Sequence, residues 1–134
     1  MERQFDMLYA YLALGRRPGN AGDADERTRL LVRELSAERS GCRWCVERVR
    51  HDWRVAGLPV DLLRQLARHE SSPAFTERER AALALVDAVA CRPGAPEPGT
   101  DRRLTELRRH FSERATAELI ACMAEHHLFA DEHR

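Results

Sequence analysis

From residue 2 onward, apolar side chains recur three and four positions apart, and no stretch alternates apolar with polar residues in the β-branched, aromatic-rich manner of a strand. A chain with that one period can bury itself only by packing helix on helix, so the expected fold is all-α, a helical bundle. The stop and start signals divide it. A helix over 2–14 carries Phe5, Leu8, Tyr9 and Leu12 on one face and ends at Gly15 and a loop over 16–22. A second, over 25–39, has Leu30, Leu31 and Leu35 as its apolar stripe and stops at Ser40-Gly41. The third continues to Ala56, where Gly57 and Pro59 end it. Pro59 then suits the first position of a short helix through Leu62, Leu63 and Leu66. Thr76-Glu77-Arg78-Glu79 reads as a capping box, opening a helix through the apolar run 81–90 that is expected to be the central buried one. A Pro- and Gly-rich loop over 92–99 separates it from helices over 101–110 and, with Ser112 as N-cap, 113–130.

At 134 residues and 43% apolar composition, one domain spanning 1–134 can bury roughly two-thirds of its unfolded surface and needs no disulfide framework. Twenty-two acids balance 22 bases, which argues against a nucleic-acid partner, because affinity for phosphate backbones needs surplus cations. Every base is arginine. The absence of lysine excludes Schiff-base catalysis, lysine-anchored pyridoxal phosphate and a P-loop. The charged opening Met1-Glu2-Arg3-Gln4-Phe5-Asp6 is unlike a secretory signal, and no apolar run approaches a membrane span, that over 81–86 being interrupted by Asp87, so a cytoplasmic protein with no membrane partner is expected. In that compartment cysteines serve thiol chemistry or metal binding.

Cys42-Arg43-Trp44-Cys45 follows Ser40-Gly41 directly and so falls in the first turn of the third helix. There the unpaired backbone N–H groups and the positive end of the helix dipole stabilise a thiolate, and the CxxC spacing lets the second sulfur reach the first. Between Arg33 and Arg54 six arginines face four acids, with Arg48 near the pair, so the local field also favours the anion. Two inert packed cysteines are the plain alternative. A zinc site would need further ligands at matching spacing, whereas Cys91 and Cys122 lie on separate helices and His51 is well along the third. No metal and no cofactor is expected.

The segment Ser40-Gly41-Cys42-Arg43-Trp44-Cys45-Val46, the helix running on to Ala56-Gly57-Leu58, and the stretch from Ser72-Pro73 through Thr76-Glu77-Arg78-Glu79 to Leu83 resemble the carboxymuconolactone decarboxylase and AhpD-like alkylhydroperoxidase family, as does Phe111-Ser112-Glu113 with the helix after it. The resemblance covers the chain from about Asp25. It implies an AhpD-like helical fold, homo-oligomeric assembly and a peroxidase cycle in which the cysteine pair is oxidised by a peroxide or disulfide substrate and re-reduced by a thiol electron donor. Two departures stand out. The family's relay histidine, four residues after the second cysteine, is Val49 here, and its glutamate, twelve residues before the first, is Leu30.

His51, two residues past Val49, is rotated by about 200° and points away from the thiols. Glu34 and Glu38, one and two turns closer to Cys42 than Leu30, are the candidate substitutes; a solvated or salt-bridged helix face is the other reading of both. His126 and His127, late in the last helix, are surface or core positions by default. The expected function is therefore a thiol-dependent oxidoreductase with Cys42, Cys45, Glu34 and Glu38 as catalytic candidates and an incomplete relay. Non-catalytic or redox-sensing relatives of the same fold, and a carboxymuconolactone-type decarboxylase, are the alternatives.

Overall fold

Asp25 sits in an extended conformation and its carboxylate accepts a hydrogen bond from the backbone N–H of Thr28 at 2.8 Å, which caps α1 (Glu26–Ser40) in the computed structural model. The structure describes residues 24–90 and 99–132. After α1 come α2 (Arg43–Ala56), the short α3 (Asp61–Gln65) with a 3₁₀ turn (Leu66–Arg68), α4 (Glu77–Ala90), α5 (Thr100–His110) and α6 (Glu113–Glu132). Six α-helices and no strand among the described residues make the fold all-α, as the single helical period dictates. No helix among them is long and apolar enough to cross a membrane. The expected helix over 2–14, the loop over 92–98, Cys91 and the side chains of His126 and His127 lie outside the described residues.

Local signals act as the sequence suggests. Thr76 Oγ accepts from the N–H of Glu79 at 3.2 Å while Glu79 reaches back to accept from the N–H of Thr76 at 2.9 Å, closing the capping box that starts α4. Ser112 Oγ accepts from the N–H of Ala115 at 3.1 Å at the start of α6. Pro59 behaves differently from expectation. It precedes Val60, the residue that flanks α3, and its carbonyl accepts both from the Leu62 N–H at 3.3 Å, in the turn that leads into the helix, and from the Trp53 indole N–H at 3.1 Å, which ties that turn to the end of α2.

The central helix is also a different one. Residues 81–90 are rich in buried side chains, yet it is α1 that packs extensively against three others, namely α2, α4 and α6, where α4 packs so against only α1 and α5. Leu30, Leu31, Val32, Leu35 and Ala37 are all buried, so α1 is enclosed around most of its circumference. Its modest apolar content hides this, because Arg27, Arg29, Arg33 and Arg39 end in ion pairs on neighbouring helices or loops. Arg27 Nε lies 2.7 Å from Glu79, the capping-box residue of α4, and Arg29 lies 3.1 Å from Glu118 of α6. The apolar parts of these long side chains cover the helix while their charged ends reach partners.

α1 ends where the chain must reverse. Gly41 adopts φ +69°, the left-handed region, and its N–H bonds to the Glu38 carbonyl at 3.2 Å. A Cβ there would meet nothing within 4 Å, so a substitution is penalised by the backbone alone. Gly41→Ala is expected to lower stability by about 1 kcal/mol without altering the helical content. A urea denaturation series checks this, with an unchanged midpoint as the contrary result.

Candidate thiol site

Cys42 is the N-cap of α2. Its backbone is extended (φ −90°, ψ 101°), and its Sγ accepts a hydrogen bond from the N–H of Cys45 at 3.2 Å, the place usually taken by a Ser or Asp oxygen. The two cysteines are joined as a disulfide with their Cα atoms 5.2 Å apart. Cys42 is 7% exposed and Cys45 2%, so the pair closes a buried end of α2 with Cys42 nearer the surface. Cys122, by contrast, is half-buried in α6 and outside this disulfide.

The inner face of α2 continues as Cys45, Val49 and Trp53, all at or below 2% exposure. Val49, where the resemblance would place a relay histidine, is fully buried, and Leu30, where it would place a glutamate, is 2% exposed. Both are core positions. His51 is exposed on the opposite side, as its rotation requires. Beside the pair, Arg48 lies 5.5 Å from the ring centroid of Trp44, over its face, which itself is 39% exposed between the two cysteines.

Glu34 is 0% exposed, the one fully buried carboxyl on α1. Its Oε1 makes an ion pair with Arg50 Nε of α2 at 3.4 Å, and its Oε2 has no hydrogen-bond partner. Burial, with a smaller contribution from the Glu38 charge, pushes its carboxyl up to about 7 against the pull of Arg50. Glu38, one turn closer to Cys42, lies on the exposed side of α1; partial desolvation raises its carboxyl too, opposed by Arg50 and Arg39. Arg50 Nη2 lies 3.7 Å from Glu38, so one guanidinium serves both acids. Both acids are thus salt-bridged, as the other reading of this face has it, Glu34 inside the core and Glu38 open to water.

A second polar cluster carried no sequence signal beyond Asp87 as an interruption of the apolar run. His69, 2% exposed, sits with Nε2 2.6 Å from Asp87 Oδ2, and Arg39 Nε donates to Asp87 Oδ1 at 2.7 Å. Burial alone would raise the Asp87 carboxyl, but the bonds from His69 and Arg39 outweigh it and hold it below the ordinary carboxylate range. His69, Glu70 and Asp87 offer metal-ligand atoms within 4.8 Å of one another, although both Asp87 oxygens are already engaged. The cluster borders an open cleft of about 1030 Å³ between the 3₁₀ turn, α4 and α5.

The raised Glu34 carboxyl makes folding favour its protonated form. Its contribution is therefore present below the unfolded value of 4.5 and is lost as pH rises through about 7. Glu34→Gln is expected to come within about 1 kcal/mol of the parent near pH 5 and to exceed it at pH 8 by about 3 kcal/mol, the rise from 4.5 to about 7 taken at about 1.36 kcal/mol per pH unit. Denaturation at the two pH values checks this; a variant less stable at pH 8 would contradict it.

No protein-family model matches the sequence, and no curated protein matches it. Among solved structures, the chain is similar to a protein of unknown function from Agrobacterium tumefaciens whose suggested role is that of the antioxidant defence protein AhpD, with a TM-score of 0.69 and 23% identity over 98% of this chain and 83% of that one. At that identity the likeness speaks for the backbone, and the fold of this chain is all-α and AhpD-like.

Proposed function

We propose that the chain is a thiol-dependent oxidoreductase of the AhpD-like type, in which Cys42 and Cys45 cycle between dithiol and disulfide while reducing a peroxide or another disulfide. The observation that carries this is the position of the Cys42 sulfur as the N-cap acceptor of α2, within bonding reach of Cys45. In the reduced protein the same N–H and the helix dipole favour a thiolate at Cys42 over one at Cys45. Greater exposure points the same way, so Cys42 attacks and Cys45 resolves. The suggested antioxidant role of the Agrobacterium protein agrees with this reading.

With a hydroperoxide as substrate, the Cys42 thiolate attacks the terminal oxygen and the O–O bond breaks, releasing an alkoxide that is protonated to the alcohol and leaving a sulfenic acid. Cys45 then attacks that sulfur, its proton leaves with the hydroxyl as water, and the disulfide forms. Two thiols and one hydroperoxide thus give one disulfide, one alcohol and one water. An external dithiol restores the pair. Proton transfer falls to Glu38, one turn from Cys42, and to Glu34 behind it, in place of the histidine and glutamate that Val49 and Leu30 replace. We take residues 1–134 as one domain that self-associates.

The test is peroxide consumption with a dithiol reductant. The parent is expected to turn over repeatedly, Cys42→Ser and Cys45→Ser to abolish turnover, and Glu38→Gln to slow it by about 10²-fold, the lower range for a lost general acid–base. Oxidation of the pair once, without further turnover, would overturn the enzymatic reading in favour of a redox sensor; stoichiometric zinc on the reduced thiols would overturn both.

A further inference from the structure

α1 and α2 form an antiparallel hairpin that turns at Gly41 and Cys42. Positions equally far before and after Cys42 therefore face one another across it. Glu38 stands four residues before Cys42 and Val46 four after; Glu34 stands eight before and Arg50 eight after. At about 1.5 Å per residue the outer rung lies about 12 Å from the cysteine and the inner one about 6 Å. Arg50 reaches across the outer rung to Glu34 at 3.4 Å and towards the turn to Glu38 at 3.7 Å, linking a carboxyl sealed in the core to one on the last turn of α1.

We infer that Arg50 is the positioning residue of the thiol site: its guanidinium holds Glu34 and Glu38 as one proton-sharing pair and keeps the buried Glu34 carboxyl ionisable. This rests on the oxidoreductase reading above. A carboxyl with no solvent exposure, an unpartnered second oxygen and another acid one turn away has every reason to remain protonated. In that state it cannot receive a proton from the thiols. The Arg50 charge is the counterweight, and at 43% side-chain exposure Arg50 is itself cheaply hydrated.

Other charges around α1 are already engaged. Glu79 of α4 is held by Arg27, Asp87 of α4 by Arg39 and His69, Glu118 of α6 by Arg29, and Asp52 of α2 by Arg33. Among the described residues the charges that bear on Glu34 are those of Glu38 and Arg50.

The experiment compares the parent, Arg50→Met and Arg50→Lys in two readouts: the pH profile of dithiol-driven peroxide turnover, and the titration of the Glu34 carboxyl followed by its infrared carbonyl band, assigned with Glu34→Gln. Loss of one opposite charge at this range is expected to move both the acid limb of turnover and the Glu34 titration upward by about one pH unit, lowering turnover at pH 7 by about fivefold. Arg50→Lys should restore both to near the parent. Turnover in the parent with an acid limb that Arg50→Met leaves in place would overturn the inference, even if thermal stability changed. A parent that does not turn over at all would instead overturn the oxidoreductase reading on which it rests.

Discussion

Enclosure of α1 is the constraint on which the rest of the structure depends. A helix packed by α2, α4 and α6 has little open face, and Leu30, Leu31, Val32, Leu35 and Ala37 supply the apolar surface those contacts need. The charged residues of the same helix must leave by its edges, which they do by pairing with Glu79, Glu118, Asp52 and Asp87 on other elements. Glu34 alone among the acids of α1 stays inside. Its burial is costly and is offset by a single exposed-side partner, Arg50.

The site follows from how α1 ends. A helix enclosed to its last turn can reverse direction only through a residue that tolerates positive φ, and Gly41 provides it. The next residue must cap the following helix. A cysteine in that position places its sulfur where a capping oxygen would stand, and the helix geometry then brings the residue three positions later within reach. Capping, dipole and disulfide reach are thus consequences of one tight turn, and the thiol chemistry proposed for the pair draws on all three.

Much of this was legible in the sequence, where the physics is local. The helical period, the reversal at Ser40-Gly41, the Thr76–Glu79 capping box and the Ser112 cap all depend on residues within a turn of one another, and each stands where its residues suggest. The direction of His51 away from the thiols follows from helix geometry alone. The central helix was not legible, because arginine and glutamate on α1 make it look half-solvated while their partners lie 12 to 89 residues away in sequence. The same blindness hid Arg50, whose role exists only once α2 folds back along α1, and the His69–Asp87–Arg39 cluster, which joins three separate elements. Pro59 stands two positions before the first residue of α3, and the bond from Trp53 to its carbonyl is a contact no local rule supplies.

The account stands on the Cys42–Cys45 bond being reversible in the folded protein. Its most direct measurement is a redox equilibrium against mixtures of reduced and oxidised dithiothreitol, followed by the fluorescence of Trp44, which lies between the two cysteines in sequence, with Trp53→Phe as background to isolate that signal. A single reversible two-electron transition, absent from Cys42→Ser and from Cys45→Ser, is the predicted result. A pair that stays disulfide-bonded, or stays reduced, across the whole range of mixtures would contradict the account.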